Sequence, residues 1–167
     1  IQVDPLGAIC SCGNRGCLNT IVAENRLVQL LSVTHGNMTM DDLVAQANNG
    51  DPGCRRIIAD TAVRIGQVAA DLCISIDPEV VVVGGKLAMA GEVFTQPFNE
   101  ALQRLLFPDA VMPITVLSSP HPSDNCALGG ALAVAAVPGQ GGDPRQHQDS
   151  HDHQDAARPF VHIFQVK

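Results

Sequence analysis

The chain has 167 residues, of which 46% are hydrophobic, and its formal net charge is −7. This length and apolar content suffice for one sizeable core, and with five Phe and neither Trp nor Tyr the core must be mainly aliphatic. The negative charge argues against a surface for the phosphate backbone of nucleic acids. No signal peptide and no apolar run of membrane-spanning length is present.

Three cysteines lie close together near the start of the chain. Cys10, Cys12 and Cys17 share their segment with Gly13 and Gly16. Because glycine adopts backbone conformations that other residues avoid, such a loop can turn three thiolates inward, as tetrahedral zinc requires. Structural zinc normally has four protein ligands. The spacing therefore predicts a zinc site with three ligands here and a fourth from elsewhere, the plain alternative being three reduced thiols.

The other three cysteines, Cys54, Cys73 and Cys126, stand singly within helical patterns. Such isolated thiols do not form the pattern of a disulfide framework, so we expect a reduced, cytoplasmic protein. Within this chain, the fourth zinc ligand would be His35, His121, a histidine of the C-terminal segment, or water.

Two helices are predicted directly after the cysteine loop. The first begins at Asn19 or Thr20 and ends before His35. The second is short and opens at Thr39, which is followed three residues later by Asp42 in the pattern of a capping box. The Asn-Gly pair that comes next predicts its end.

The longest predicted helix begins after Asp51, with Pro52 at its first position. Its apolar residues repeat at helical spacing and predict one buried face. These residues are Ile58, Ala62, Ile65, Ala69, Leu72 and Ile76.

Strands alternate with helices in the rest of the chain. The β-branched run 80–83, between Asp-Pro and Gly-Gly, predicts a strand covered on both faces. Residues 92–106 predict a helix, 114–117 a second strand and 124–137 a closing helix, and 1–3 allow a short strand. We therefore expect an α/β fold whose strands are too few to cover its helices.

Three segments resemble the ROK family of bacterial sugar kinases and sugar-responsive repressors. They run from Val3 to Leu18, from Asp77 to Leu87 and from Asn125 to Ala133, in the family's order. The resemblance covers residues 1–137. It implies the C-terminal part of an actin-like (ribonuclease H-like) ATPase lobe, with a zinc loop at 1–20 and an incomplete sheet.

In that family a Gly-His pair just before the zinc loop supplies a histidine as the fourth ligand. This chain begins at Ile1, where that pair would just have ended, so we expect the C-terminal portion of a longer protein. The strand hairpins that complete the family's sheet also precede the zinc loop. An exposed strand edge and apolar face would then favour pairing with another chain, and we expect a homo-oligomer.

Three further residues matter for ligands. Family kinases carry a glutamate two residues after the last cysteine of the loop, where it accepts hydrogen bonds from sugar hydroxyls, and this chain has Asn19 there. Asparagine is shorter and neutral, so the resemblance implies altered sugar recognition. Gly84 and Gly85 correspond to the place where the family's kinases bind adenosine, although a Gly-Gly pair also simply ends a strand.

The resemblance leaves two functions open. The family's catalytic aspartate and glycine-rich phosphate turns lie in its N-terminal half, so this chain is not expected to catalyse phosphoryl transfer by itself. The loss of the sugar glutamate favours a sugar-sensing, oligomerising part of a transcriptional regulator. Its effector would be a sugar or sugar phosphate, and DNA would be bound only through an N-terminal module outside this chain. The alternative is the C-terminal half of an ATP-dependent ROK sugar kinase.

Residues 138–167 differ in composition from the rest. The stretch from Gly139 to Arg158 is almost free of apolar residues and predicts a disordered, solvated tail. Its histidines His147, His151 and His153 could bind metal adventitiously. The partial alternation of apolar residues from Phe160 to Val166 allows a docking strand.

Overall fold

The computed structural model describes residues 1–106 and 114–119 and the backbone of a strand at 162–166. The helix predicted at 124–137 lies outside the described residues, as does the polar stretch that follows it. The elements are α1 Asn19–Val22, α2 Glu24–Leu30, α3 Ser32–His35, α4 Met40–Asn48, α5 Pro52–Ile76, β1 Val80–Gly85, a 3-10 helix Lys86–Ala90, α6 Glu92–Leu105, β2 Thr115–Ser118 and β3 His162–Val166.

β1 is the central strand of a parallel sheet with the order β2-β1-β3. Val81 lies opposite Val116 on one side and His162 on the other. Val81 and Val83 are fully buried, which confirms the strand predicted from the valine run. The sheet is small, as predicted, but its third strand pairs with the edge of β1 that the sequence left open.

α4 begins with the predicted capping box. The Asp42 N–H donates to Thr39 Oγ1 at 3.2 Å, and the Thr39 N–H donates to Asp42 Oδ2 at 2.8 Å. Two helix-terminal donors are thereby satisfied. The helix ends at Asn48 with Asn49 as its C-cap, also as predicted.

α5 is the long helix around which the core assembles. Asp51 caps it by accepting the Cys54 N–H at 2.8 Å, and Pro52 occupies the first turn, where its missing N–H costs nothing. The predicted stripe is buried as far as Ala69. In the last two turns Cys73 lies in the core instead of the predicted Leu72, and Ile76 is exposed.

α5 and α6 approach each other closely at Gly66. A Cβ atom there would lie 2.5 Å from the Phe98 carbonyl oxygen. Phe94 and Phe98 of α6 are fully buried, with ring centroids 5.9 Å apart. None of the helices in the described part of the chain is long and apolar enough to cross a membrane.

The helix predicted from residue 19 to before His35 is wrong as a single element. It is broken at Ala23, which is extended with ψ 140°, and again at Leu31. Val22 and Leu27 are both buried, yet on one straight helix they would point about 140° apart. The break lets both side chains reach the core. The short strand allowed at 1–3 is a single bridge from Gln2 to Cys17.

Candidate functional site

The segment before α1 is a loop closed by backbone hydrogen bonds. The Gly16 N–H donates to the Ala8 carbonyl at 2.7 Å, and the Cys10 N–H donates to the Asn14 carbonyl at 2.7 Å. These bonds fold the segment back on itself. The cysteines are therefore positioned by the main chain around them.

Two glycines make the closure possible, for different reasons. Gly13 has φ 89° and Gly16 has φ 63°, conformations that side chains disfavour. A Cβ at Gly16 would also collide with the Asp4 carbonyl oxygen, whereas the space around Gly13 is open. Gly16 is thus required by both conformation and space.

The loop brings the three predicted thiols together. The sulfur atoms of Cys10, Cys12 and Cys17 all lie within 4.8 Å of one another, and Cys12 Sγ is 3.6 Å from Cys17 Sγ. Zinc–sulfur bonds of about 2.3 Å in a tetrahedron place neighbouring sulfurs about 3.8 Å apart. All three thiols are free, with Cys10 and Cys17 buried and Cys12 exposed. The cluster fits three corners of a zinc tetrahedron.

Two of these thiols have pKa values shifted in opposite directions. The Asn14 backbone N–H, followed by hydrogen bonds from Cys10 and Cys17, lowers the pKa of Cys12 to about 7. The hydrogen bond to Cys12, followed by burial, raises the pKa of Cys17 to about 11. Cys12 is therefore the first thiolate of the cluster. If a second thiol beside Cys12 ionises, a cation is needed to balance the two negative charges.

The fourth ligand does not come from His35. This histidine ends α3 and is grouped with Asp51 and Cys54, because its Nε2 lies 3.2 Å from Asp51 Oδ2. The structure therefore excludes His35 from the cysteine cluster. His121 and the histidines of the polar C-terminal stretch lie outside the described residues.

Asn19, the predicted sugar-binding residue, is the first residue of α1 and is exposed. It follows Cys17 by two positions. The Thr20 hydroxyl donates to the Cys17 carbonyl at 2.7 Å, which ties the start of α1 to the loop. The position of the Asn19 side chain thus depends on the cysteine loop.

Gly84 and Gly85, the predicted nucleotide-binding residues, are buried at the end of β1. Gly85 has φ 96° and leads directly into the 3-10 helix. The next residue, Lys86, forms ion pairs with Glu24 of α2 at 3.1 Å and Asp41 of α4 at 3.4 Å. Sequence reasoning missed this cluster, because its charges come from three separated segments.

The fold and the thiol loop together define the class of protein. It is an α/β lobe with a small parallel sheet, and a cysteine-rich loop precedes the first helix in the chain. The ROK family model matches residues 1–137. The chain belongs to the ROK family.

Relatives in this family include both regulators and kinases. The DNA-binding transcriptional repressor Mlc of Escherichia coli is 27% identical over 146 residues, which cover 81% of this chain and 36% of the repressor. A glucokinase of Thermotoga maritima is 26% identical over 149 residues, covering 80% of this chain and 47% of the kinase. Such similar identities do not separate the two functions.

A solved relative shares the fold. The crystal structure of a ROK family glucokinase from Streptomyces griseus, in complex with glucose and AMPPNP, matches with a TM-score of 0.66 and 25% identity. The match covers 78% of this chain and 48% of the glucokinase. The chain thus spans less than half the length of these three relatives.

Proposed function

We propose that this chain is the sugar-sensing and oligomerising part of a ROK-type transcriptional regulator and is not catalytic by itself. Asn19 carries the proposal. Where the family's kinases place a charged glutamate, Asn19 offers a neutral amide that can both donate and accept hydrogen bonds. Such a group can recognise a sugar or sugar phosphate without the charged acceptor that the kinases use.

The cysteine loop supports this role by fixing where α1 begins. Zinc bound by Cys10, Cys12 and Cys17 would hold the loop from which Asn19 projects. Structural zinc contributes directly to folding energy. In this proposal the metal positions the sugar-sensing residue and takes no part in chemistry.

DNA binding is assigned to an N-terminal module outside this chain. The formal net charge of −7 supports that assignment, because surfaces for DNA are usually strongly positive. Sugar binding would then shift the whole regulator between two states of different DNA affinity.

The alternative is the C-terminal half of an ATP-dependent sugar kinase. It is favoured by Gly84 and Gly85, which end β1 with the small, permissive residues that a close nucleotide requires. The similarity to the two glucokinases also favours it.

Calorimetric titration with a panel of hexoses and hexose phosphates tests the sensing role. We expect Asn19→Ala to weaken binding about tenfold, the loss of roughly one hydrogen bond to an uncharged partner. Asn37→Ala, at another exposed asparagine, should leave binding unchanged. Equal affinity in both variants, or no sugar binding, would reject the assignment of Asn19.

A coupled assay with hexoses and magnesium ATP separates the alternatives. We expect background turnover from this chain. ATP-analogue binding that is lost in Gly85→Val, together with turnover by the full-length protein, would favour the kinase.

Light scattering across a tenfold dilution tests oligomerisation. A chain that is monomeric at every concentration would contradict the proposed oligomerising role.

A further inference from the structure

A second cluster of ligand-type side chains lies away from the cysteine loop. His35 at the end of α3, Asp51 before α5 and Cys54 in its first turn each offer one ligand atom, and these atoms lie within 4.8 Å of one another. Nitrogen, oxygen and sulfur donors thus converge where two helices meet.

The contacts of His35 place its Nε2 in this cluster. The Thr34 hydroxyl donates to the Leu31 carbonyl at 3.2 Å and lies 2.7 Å from His35 Nδ1, so it can accept a hydrogen bond from that nitrogen. With the hydrogen on Nδ1, the neutral ring has an acceptor at Nε2. That acceptor faces Asp51 Oδ2 at 3.2 Å. A metal ion between these two atoms would satisfy both of them at once.

The Asp51 carboxylate is held in place before any metal binds. Its Oδ1 accepts the Cys54 N–H at 2.8 Å as the cap of α5. This leaves Oδ2 directed at His35. The Cys54 N–H bond, followed by His35, lowers the pKa of Asp51 to about 2, so the oxygen is available as an anion.

Cys54 supplies a buried sulfur. Its side chain is inaccessible to solvent, and its Sγ lies 3.8 Å from Gln46 Oε1. Burial, followed by the Asp51 carboxylate, raises the pKa of Cys54 to about 11. Without a cation the thiol therefore keeps its proton, and a bound metal would displace that proton to solvent.

We propose that His35 Nε2, Asp51 Oδ2 and Cys54 Sγ bind a second divalent transition-metal ion, separate from the one expected in the cysteine loop. Metal bonds of about 2.0–2.2 Å to nitrogen and oxygen in a tetrahedron place those atoms about 3.4 Å apart, close to the observed 3.2 Å. The mixed donor set suits zinc. Gln46 Oε1 or water takes the fourth position.

The Thr34 hydroxyl adds the outer-shell contact that such a site requires. Metal-bound histidines usually donate their other ring N–H to a partner that fixes the ring, and the Thr34 hydroxyl, 2.7 Å from His35 Nδ1, can be that partner here. The ion would join the end of α3 to the start of α5. It would therefore connect the short helices that follow the cysteine loop to the helical core.

Zinc stoichiometry after gel filtration tests the proposal. The measurement uses the whole chain with His147, His151 and His153 replaced by alanine, because these histidines could bind zinc themselves. We expect His35→Gln and Cys54→Ser each to bind about one zinc ion fewer than this parent chain. Cys73→Ser, which removes another buried free thiol, should bind as much zinc as the parent.

Asp51→Asn separates metal binding from helix capping. Asparagine caps helices as well as aspartate but is a weaker metal ligand, so this variant should lose the second ion and keep its helix content. An unchanged zinc count in His35→Gln and Asp51→Asn would show that only hydrogen bonds hold the cluster together, and would overturn the proposal.

Cobalt absorption gives a second test of metal coordination, which does not depend on the zinc count of any one variant. In a chain with Cys10, Cys12 and Cys17 replaced by serine, Co²⁺ should give a thiolate-to-metal charge-transfer band from Cys54. The band should disappear on Cys54→Ser and persist on Cys73→Ser. Absence of the band in the folded triple variant would contradict coordination by Cys54.

Discussion

The cysteine loop, residues 1–18, and the helical core from α4 to α6 are held together in different ways. In the loop, Leu6 is 89% exposed and Ile9 is 62% exposed, whereas Leu43, Ile58 and Phe94 in the core are fully buried. The loop has almost no apolar packing and relies on backbone hydrogen bonds, two glycines and its thiols. The core relies on burial. The main chain can thus fix the geometry of a loop whose side chains bury little apolar surface.

The largest expected effect breaks the core. Phe98→Ala removes a fully buried ring that stacks on Phe94 and should lower the free energy of unfolding by about 3–5 kcal/mol. Leu6→Ala, at an exposed side chain of the loop, should change it by less than about 0.5 kcal/mol. Urea denaturation followed by circular dichroism measures both. Similar losses in the two variants would contradict the contrast between the regions.

A smaller effect tests the contact between α5 and α6. Gly66→Ala places a methyl group against the Phe98 carbonyl and should cost about 1–3 kcal/mol of unfolding free energy. Gly53→Ala, in the first turn of the same helix, places its methyl group 3.3 Å from Asp51 Oδ1, a side-chain atom that needs to shift only slightly, and it gains helix propensity. It should cost much less than Gly66→Ala in the same measurement. A neutral Gly66→Ala would mean that the helices can move apart freely.

The next prediction changes metal binding while leaving the core intact. Gly16→Ala would collide with the Asp4 carbonyl, so the thiols should separate and zinc binding by the loop should be lost. Gly13→Ala meets only the backbone strain of φ 89°, with open space around it, and should weaken zinc binding less. Zinc titration measures the affinities, and far-ultraviolet circular dichroism should show unchanged helix content. Equal zinc affinity in both variants would mean that the close approach of Asp4 does not matter.

The smallest effect concerns protonation within the metal-free loop. The pKa of Cys12 falls from 9.0 to about 7 in the folded chain, so its alkylation rate should have a midpoint near pH 7. In urea the midpoint should return to about 9. Because the folded-state pKa is lowered, the thiolate favours the folded loop above pH 9, and this contribution disappears as the pH falls through about 7. Mass spectrometry of the alkylated peptides gives both profiles, and identical midpoints would contradict the Asn14 interaction.

Much of the fold was predictable where a local pattern determines it. The Thr39 capping box, the Asp51-Pro52 start of α5 and the valine run of β1 each depend on neighbouring residues and are confirmed. The break at Ala23 was not predictable, because no helix-breaking residue marks it. It follows from the burial of Val22 and Leu27, which depends on packing against distant elements.

Some residues of the candidate sites were likewise predictable from the sequence, and others were not. Cys10, Cys12 and Cys17 were found from their spacing, because one short loop contains them all. The cluster of His35, Asp51 and Cys54 was missed, since folding brings His35 from one helix to the cap of another. Sequence analysis marked Asp51 only as a helix cap, and its second oxygen acquires a partner only in three dimensions.

The pairing of β1 with β3 has a consequence for the order of folding. Val81 and His162 are partners in the sheet although about 80 residues separate them along the chain. Closing so long a loop is entropically costly, and contacts of this kind form late and slowly. Nascent chains on the ribosome would therefore assemble α4, α5 and β1 before β3 has been synthesised. Until then the valines of β1 present one unpaired edge, and during that interval the chain is most prone to pair with another copy or with a chaperone.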